Sequence, residues 1–479
     1  MNFRGCENNG GEIWPIVVIC VPLHRFNHGR ERIMRFYDRG KELETLAETR
    51  RVAFERVSQM TVLTGRRRIG KTKLMLKSCE GSPTVYLFVS RSSESVLCRQ
   101  YAQVVRDSLG VFVPNGMDNF RDLFRYLMEI GKQQAYNLII DEFQELEGMC
   151  SSVFGDLQNI WDSTKDEARV NLMISGSVYS LMHHIFMDYK EPLYGRATSI
   201  IRVKPFAVSV LKQILCEHSP AYTNDDLLAL YMLTGGVPKY VELLMDGGAF
   251  SVETMIGQVV KENSLFIEEG NVMLVQEFGK KYGNYYAILS AIASGANEAS
   301  RISDLTGQQS LGGSLQRLED DYGLVSKLRP VKAKDGTQTV KYEIKDHFLR
   351  FWFRYIVKYQ NLVQSGKFDD LRLLVMRDYT DYSGRVLESY FRDKIAEEQT
   401  MELIGSWWEG KRGRNEDTDQ HEIDIVAVYF KEKRVLLAEV KRQRKNFDAM
   451  KFERKVQLIT NKLFSNYKIE KVCLTLEDM

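Results

Sequence analysis

Short apolar runs alternate with amphipathic helical patterns over the first half of the chain. The runs lie at residues 60–64, 84–89, 137–140 and 170–175. Strands that are buried on both faces have this pattern, because helices cover both sides of a parallel sheet. The pattern therefore predicts a parallel α/β domain, followed by a mostly helical stretch from about residue 208 to residue 282.

The second half of the chain has a different pattern. Three short helices are predicted at 285–293, 302–306 and 311–321, followed by a hairpin of strands 325–328 and 340–344 around Lys334, Asp335 and Gly336. Three helices and a hairpin predict a winged helix. An aromatic helix at 348–359 comes next. Strands at 423–430, 434–440 and 472–476, with helices before and between them, predict a further α/β domain.

Composition narrows the class of protein. The 479 residues suit about three domains. Lys plus Arg (66) and Asp plus Glu (64) nearly balance, so any attraction to nucleic acid must be local. The seven cysteines form no C-x-x-C pair, which favours a reducing, cytoplasmic compartment. The apolar stretch at 13–23 is shorter than the roughly 20 residues of a spanning helix, so no membrane association is expected.

A phosphate-binding loop is the strongest motif. It comprises Gly65, Arg66, Arg67, Arg68, Ile69, Gly70, Lys71 and Thr72. These residues fit G-x-x-x-x-G-K-[ST] and lie between a predicted strand and a predicted helix, as this motif requires. Backbone N–H groups would surround a phosphate chain, Lys71 would reach the outer phosphates, and Thr72 would ligate Mg²⁺. The alternative is a glycine turn in an unrelated α/β domain.

Two later strands add polar residues at the same expected edge of the sheet. The strand at 137–140 is followed by Asp141 and Glu142. Asp141 would hold Mg²⁺ through water, and Glu142 would orient or deprotonate the attacking water. Ser175 ends another strand, where its hydroxyl would lie near a γ-phosphate. A solvent-exposed acidic strand end, and a helix cap for Ser175 or Ser177, are the alternatives.

The chain resembles the archaeal-type ATPase family in the order of its motifs. This family comprises AAA-like NTPases related to origin-binding and signalling NTPases. The motifs lie at 36–43, 65–72, 140–143, 175–177, 192–196, 204–206 and 234–238. The resemblance covers about residues 36–246 and implies ATP as the nucleotide. It also implies that Arg39 and Glu42 lie at the adenine end, that Pro238 packs on the base, and that Arg196 stabilises transition-state charge. An ordinary surface arginine is the alternative for Arg196.

Residues 345–479 look like the domain of unknown function that often follows this ATPase type. Glu388, Asp424, Glu439 and Lys441 resemble the PD-(D/E)xK nuclease pattern. Asp424 and Glu439 on adjacent strands could hold Mg²⁺, and Lys441 on the same strand face as Glu439 could activate water. The alternative is that these residues are solvated charges of a hairpin. Whether the domain still cleaves DNA is a separate question from whether its fold is nuclease-like.

Local charge indicates a DNA partner. Ten of the 25 residues from 431 to 455 are Lys or Arg, enough to neutralise phosphates beside such a site, although a solvated helix face would have the same composition. The predicted recognition helix of the winged helix is acidic near residues 319–321. Its wing is basic, with Lys327, Arg329, Lys332, Lys334 and Lys341.

These inferences divide the chain into five segments. Residues 1–33 are expected to be a disordered or non-native extension, 34–207 a P-loop ATPase domain, 208–282 a helical lid, 283–346 a winged helix, and 347–479 a nuclease-like α/β domain. The predicted function is an ATP-dependent, Mg²⁺-requiring switch that controls a DNA-directed nuclease-like domain and could form a homo-oligomer. The alternative is a non-cleaving regulator that binds DNA or a protein through the winged helix.

Overall fold

The computed structural model describes residues 34–150, 152–279, 282–333, 340–409 and 421–479. Two predictions lie outside these residues: the extension at 1–33, and the hairpin tip with Lys334. In the described part of the chain, no helix combines the length and the apolar composition that crossing a bilayer requires.

A parallel five-stranded sheet forms the first half of the fold, which confirms the predicted α/β class. Its strands are β1 (Gln59–Thr64), β2 (Thr84–Phe88), β3 (Tyr136–Asp141), β4 (Val170–Ser175) and β5 (Ser199–Arg202). They are ordered β2-β3-β4-β1-β5. Because β4 lies between β3 and β1, the carboxyl ends of all three strands meet at one edge. That edge is where the sequence predicted the phosphate loop, the acidic pair and Ser175.

Helices cover the sheet on both faces. They are α1 (Gly40–Glu55), α2 (Lys71–Ser78), α3 (Glu94–Leu109), α4 (Phe120–Gln133), α5 (Val153–Thr164) and α6 (Tyr179–Met187), with a 3-10 turn at Phe143–Leu146. Every residue of β3 and β4 is buried, which explains their continuous apolar sequence. The edge strand β5 was not predicted, because it alternates between half-buried and exposed residues and is only four residues long.

Five helices follow the sheet where the helical lid was predicted. They are α7 (Val208–His218), α8 (Asn224–Thr234), α9 (Pro238–Asp246), α10 (Val252–Val259) and α11 (Leu265–Phe278). In α8 every side chain from Leu227 to Thr234 is buried. A helix that is apolar on all sides belongs inside a core, so α8 is the central element around which the other helices pack.

Three helices and a two-stranded hairpin come next, as predicted. They are α12 (Tyr282–Ala293), α13 (Ala299–Thr306), α14 (Gly312–Asp320), β6 (Val325–Leu328) and β7 (Lys341–Ile344). The two strands are antiparallel, and Val325 lies opposite Ile344. Just after β6, the backbone N–H of Val331 donates to the Ser406 carbonyl at 3.0 Å, and the Val331 side chain packs with Trp407 and Ile423. The hairpin segment is therefore docked on the C-terminal sheet.

The last part of the chain combines helices with a mixed sheet. Its helices are α15 (His347–Phe351), α16 (Gln360–Gln364), α17 (Phe368–Glu398) and α18 (Ala449–Leu463), and its strands are β8 (Leu403–Trp408), β9 (Glu422–Tyr429), β10 (Arg434–Val440) and β11 (Lys468–Leu474). Short 3-10 turns lie at Arg444–Asn446 and Leu476–Asp478. The sheet order is β11-β10-β9-β8. Only the β10–β11 pair is parallel.

Two predictions about this part were wrong in detail. The single aromatic helix predicted at 348–359 is divided, because a π-helix, Trp352–Val357, follows α15. This π-helix brings the Trp352 indole N–H within 2.7 Å of the Ile267 carbonyl in α11, a tertiary contact that local periodicity cannot show. The last strand begins four residues before the predicted start at 472, since β11 starts at Lys468.

Candidate functional sites

The phosphate loop connects β1 to α2 and depends on two glycines. Gly65 has φ +143°, and a Cβ there would lie 2.6 Å from the Val203 carbonyl oxygen. Gly70 caps α2 with φ +91°. Both conformations are unfavourable for residues that carry a side chain. The loop therefore turns tightly into α2, and residues 67–73 line one concave region. A helix N-terminus in such a region is an anion-binding geometry.

Lys71 is the buried cation of this loop. It is only 7% exposed, and its Nζ donates to the carbonyls of Gly65 at 2.8 Å and Arg66 at 3.2 Å. Burial lowers the pKa of Lys71 from 10.5 to about 8, although the nearby Glu142 and Asp141 carboxylates oppose the shift. A phosphate chain beside Lys71 would favour its charged form.

Asp141 is the centre of a hydrogen-bond network at the ends of β3 and β4. Thr72 Oγ1 donates to Asp141 Oδ2 at 2.6 Å, and Tyr86 donates to the same oxygen at 3.1 Å. Ser175 Oγ donates to the other carboxylate oxygen, Oδ1. Hydroxyl and carboxylate oxygens are the ligands that Mg²⁺ prefers, so Thr72 and Asp141 fit the predicted metal site.

Glu142 lies directly after β3 in a left-handed backbone conformation, with φ +57°. Its Oε2 accepts hydrogen bonds from Gln144 Nε2 at 2.6 Å and from Ser177 Oγ at 2.7 Å. The helix-cap alternative for the two serines is wrong, because α6 has Val178 as its N-cap and no side-chain cap. Ser175 and Ser177 instead orient Asp141 and Glu142.

A cavity of about 510 Å³ brings most of the predicted nucleotide residues together. Its lining includes Arg39, Lys71, Thr72, Asp141, Glu142 and Pro238. At one end, the Arg39 guanidinium lies 5.2 Å from the centre of the Phe206 ring and donates to the Lys204 carbonyl at 2.8 Å. Arg39 also contacts Glu42 at 3.4 Å. This end combines an aromatic ring with a cation, and an aromatic lining with a few polar groups is typical of small-ligand pockets.

Arg196 is not among the residues that line this cavity. Its guanidinium pairs with Asp162 at 3.1 Å and donates to the Tyr194 carbonyl at 2.9 Å. The structure therefore does not bring Arg196 together with Lys71 and Glu142 within the chain. A role in stabilising charge across a subunit interface stays a prediction.

The three arginines of the phosphate loop anchor it to later segments, a role that the motif alone did not indicate. Arg66 forms an ion pair with Asp346, which also caps α15. Arg67 donates to Gln276 Oε1 at 2.9 Å, and Arg68 pairs with Glu269 at 2.7 Å. Gln276 and Glu269 belong to α11. The loop is thus connected both to α11, within the predicted helical lid, and to the segment that enters the C-terminal part of the chain.

A second constellation forms at the ends of β9 and β10. The strands are antiparallel with Ala438 opposite Ile425, so the next residues, Glu439 and Asp424, are neighbours. Lys441 Nζ donates to Glu439 Oε1 at 2.9 Å and lies 4.0 Å from Asp424 Oδ2. The predicted nuclease-like residues therefore converge in space.

Glu388 of α17 lines the same cavity as these residues, which has a volume of about 650 Å³. Burial, followed by the negative charge of Asp424, raises the pKa of Glu388 to about 8. Burial and the charge of Glu439 raise the pKa of Asp424 to about 6. Asp424 thus disfavours the charged form of Glu388, and Glu439 disfavours the charged form of Asp424, a situation that a bound cation would relieve.

Among the described residues, no group of three or more His, Cys, Asp or Glu side chains has the arrangement of a metal-binding cluster. Mg²⁺ needs fewer protein ligands, because it usually keeps several waters and binds one or two carboxylates. Asp424 and Glu439 meet this smaller requirement. They fit a hydrated Mg²⁺ better than a fully protein-ligated ion.

Lys455 is a site residue that the sequence analysis did not single out. It is 8% exposed, and its Nζ lies 3.0 Å from both carboxylate oxygens of Glu439. The sequence showed it only as one charge of the basic segment 431–455. Other members of that segment are also paired internally, among them Arg434 with Glu470 and Arg442 with Asp225, so less of its charge can contact phosphate than predicted.

Two basic residues of the predicted wing also have partners within the protein. Lys341 Nζ bonds to Glu422 at 2.9 Å and lies 4.5 Å from the centre of the Trp408 ring. Lys332 Nζ lies 4.3 Å from the centre of the Phe464 ring. These contacts hold the wing on the C-terminal sheet and oppose its predicted role as a free DNA-binding element.

Two family models match the chain. Residues 36–244 match an ATPase domain predominantly from Archaea, and residues 352–452 match archaeal and bacterial proteins of unknown function. An uncharacterized protein of Methanocaldococcus jannaschii is 28% identical over 416 residues, which are 85% of this chain and 87% of that protein. Another uncharacterized protein of that organism is 37% identical over 68 residues, 14% of this chain and 66% of that protein.

A solved structure is similar to most of the chain. The Walker-type ATPase of Pyrococcus abyssi covers 67% of this chain and 96% of its own, with a TM-score of 0.51 and 19% sequence identity. At this identity the similarity concerns the fold.

Proposed function

We propose that this protein is an ATP-hydrolysing switch that controls a DNA-directed, nuclease-like C-terminal domain, because residues 36–244 match an ATPase domain predominantly from Archaea. The observation that carries the C-terminal part is the convergence of Asp424, Glu439 and Lys441 with Glu388 in one cavity. We further propose that the protein acts in the cytoplasm and that Arg196 acts across the interface of a homo-oligomer.

Catalysis at the nucleotide site would depend on position and charge. Lys71 supplies a point charge for the outer phosphates, and the loop N–H groups bind the remaining oxygens. Thr72 and Asp141 would hold Mg²⁺, which supplies charge neutralisation when bound. Glu142, oriented by Ser177 at 2.7 Å, accepts a proton from the attacking water or aligns it.

At the C-terminal site, Asp424 and Glu439 would hold a hydrated Mg²⁺ that lowers the pKa of a bound water. Lys441 lies beside both carboxylates, so its ammonium can stabilise the negative charge that develops on an attacked phosphodiester. The Glu388 carboxyl, with its pKa of about 8, is protonated at neutral pH in the absence of a cation. It can therefore donate a proton or, once a cation is bound, add negative charge to the site.

The link between the two sites would run through the Arg66–Asp346 ion pair. Arg66 lies in the phosphate loop, and Asp346 caps the helix that leads into the C-terminal domain. A change in the loop on nucleotide binding or hydrolysis would alter this pair and the orientation of α15. This contact gives the proposed control a physical route.

One observation favours the non-cleaving regulator as a second candidate. Both carboxylate oxygens of Glu439 accept from Lys455, and one also accepts from Lys441. A carboxylate neutralised by two lysines has less negative charge to offer a metal. If this arrangement persists with Mg²⁺ present, the domain would bind DNA or a protein partner without cutting it.

A cleavage assay separates the two candidates. Purified protein is incubated with linear, branched and single-stranded DNA in Mg²⁺ or Mn²⁺, with and without ATP. The nuclease proposal predicts cleavage that Asp424→Ala and Lys441→Ala abolish. Asp369→Ala is the control, because Asp369 is an exposed aspartate of α17. DNA binding without cleavage in any condition would favour the regulator.

A further inference from the structure

The cavity that contains Asp424 and Glu439 has walls from two different segments of the chain. One wall comes from α17 and the C-terminal sheet, and the other comes from α12, α13 and the β6–β7 hairpin. The hairpin segment is fixed to the sheet by the Val331–Ser406 backbone bond at 3.0 Å and by the bond of Lys341 to Glu422 at 2.9 Å. The hairpin thus forms one side of the cavity that contains the carboxylates.

The volume of the cavity suits a ligand of nucleotide size. Its volume of about 650 Å³ lies in the range of about 300–1,000 Å³ that accommodates a single small ligand. One unpaired nucleotide fits such a space. A duplex, which carries two backbones, suits this volume less well.

Two arginines on opposite walls are available for a phosphate backbone. Arg301 of α13 and Arg385 of α17 both line the cavity and are both exposed. The structure gives neither guanidinium a hydrogen bond or ion pair with any residue that it describes. Unpaired guanidinium groups on both sides of a cavity suit a strand that passes between them, because each can bind a phosphate.

A third group in the cavity also lacks a partner. Tyr382 of α17 lines the cavity and is 8% exposed, and its buried hydroxyl has no hydrogen-bond partner among the described residues. Buried polar groups are normally satisfied. A ligand that enters between α17 and the hairpin could provide the missing partner.

From these observations we propose that the cavity binds single-stranded DNA, with phosphates held by Arg301 and Arg385. The inference deepens the proposed nuclease function by naming its substrate class, and it rests on that function for the outcome of binding. Duplex DNA would be a substrate only where an unpaired strand emerges from it.

Binding tests the inference separately from cleavage. Fluorescence anisotropy with the Asp424→Asn protein compares a labelled single strand with a duplex of the same sequence at several salt concentrations. We expect the single strand to bind about tenfold more tightly than the duplex, a difference of about 1.4 kcal/mol, because an unpaired strand suits the cavity between the two arginines. Arg301→Ala and Arg385→Ala should each weaken it and lower the slope of log affinity against log salt by about 0.7.

Arg377→Ala is the matched control. Arg377 is an exposed arginine of the same helix, α17, but it does not line the cavity. Equal or tighter binding of duplex, or an unchanged salt slope in both cavity variants, would overturn the inference. Asp424-dependent cleavage of fully paired duplex would leave the proposed function intact and refute this substrate class. Single-strand binding without cleavage would support this substrate class and refute the proposed nuclease function.

Discussion

The lowered pKa of Lys71 predicts that ATP binding is accompanied by proton uptake. With a pKa of about 8 in the free protein, roughly a tenth of the Lys71 side chains are neutral at pH 7, about half at pH 8 and about nine-tenths at pH 9. The phosphates of ATP should hold the lysine in its charged form. Binding should therefore take up about 0.1, 0.5 and 0.9 proton at these three pH values.

The same shift sets the pH dependence of affinity and stability. Because ATP raises the pKa of Lys71, affinity should be greatest below pH 8 and should decrease toward about tenfold per pH unit above it. In the absence of ATP, the lowered pKa of Lys71 means that the unfolded state binds more protons than the folded state between pH 8 and 10.5. Stability should therefore increase across this interval, by at most about 3 kcal/mol.

Isothermal titration calorimetry in buffers of different ionisation enthalpy measures the proton uptake directly. The slope of the observed enthalpy against the buffer's ionisation enthalpy gives the number of protons taken up per ATP. Lys71→Arg is the control, because a guanidinium stays protonated throughout this range. A slope of zero at pH 8 and pH 9 for the unsubstituted protein would refute the reasoning, since Lys71 would then be charged before ATP arrives.

Three further predictions concern hydrolysis, coupling and the metal site. Glu142→Gln should keep ATP affinity within a few-fold but lower turnover by about a hundredfold or more, and turnover close to that of the unsubstituted protein would contradict the proposed role. Arg66→Ala should leave ATP binding largely intact but remove any effect of ATP on DNA binding, measured by anisotropy with and without ATP. Calorimetry with Lys71→Ala protein measures the Mg²⁺ affinity of the C-terminal site. This affinity should decrease as the pH falls below about 6, because Asp424 is then protonated. An affinity that stays constant from pH 7 to pH 5 would argue against Asp424 as a ligand.

The sequence predicted the elements whose character is local. The strand at 170–175 has the predicted bounds because a fully buried strand is apolar along its whole length. The phosphate loop and the acidic pair were recognisable because their spacing is fixed by one loop and one strand end. The short edge strand β5 and the strand β8 were missed, since neither has a continuous apolar run.

The features that depend on distant contacts could not be predicted. Lys455 is separated from Glu439 by 16 positions, and nothing in the sequence distinguishes it from neighbouring lysines on an exposed helix face. The ion pair between Arg66 and Asp346 joins residues of two segments that the sequence analysis treated as separate domains. The docked hairpin likewise depends on Val331, a single apolar residue within a polar loop.

The contact between the lid and the π-helix has a consequence for variation within the family. A Cβ at Gly270 of α11 would lie 2.3 Å from the Trp352 ring. The large side chain at position 352 therefore fits only because position 270 has no side chain. Homologues with a larger residue at the position of Gly270 should have a smaller one at that of Trp352, and the two positions should co-vary. A chimera that joins the lid of one homologue to the C-terminal domain of another should fold well only when both halves of this pair come from the same parent.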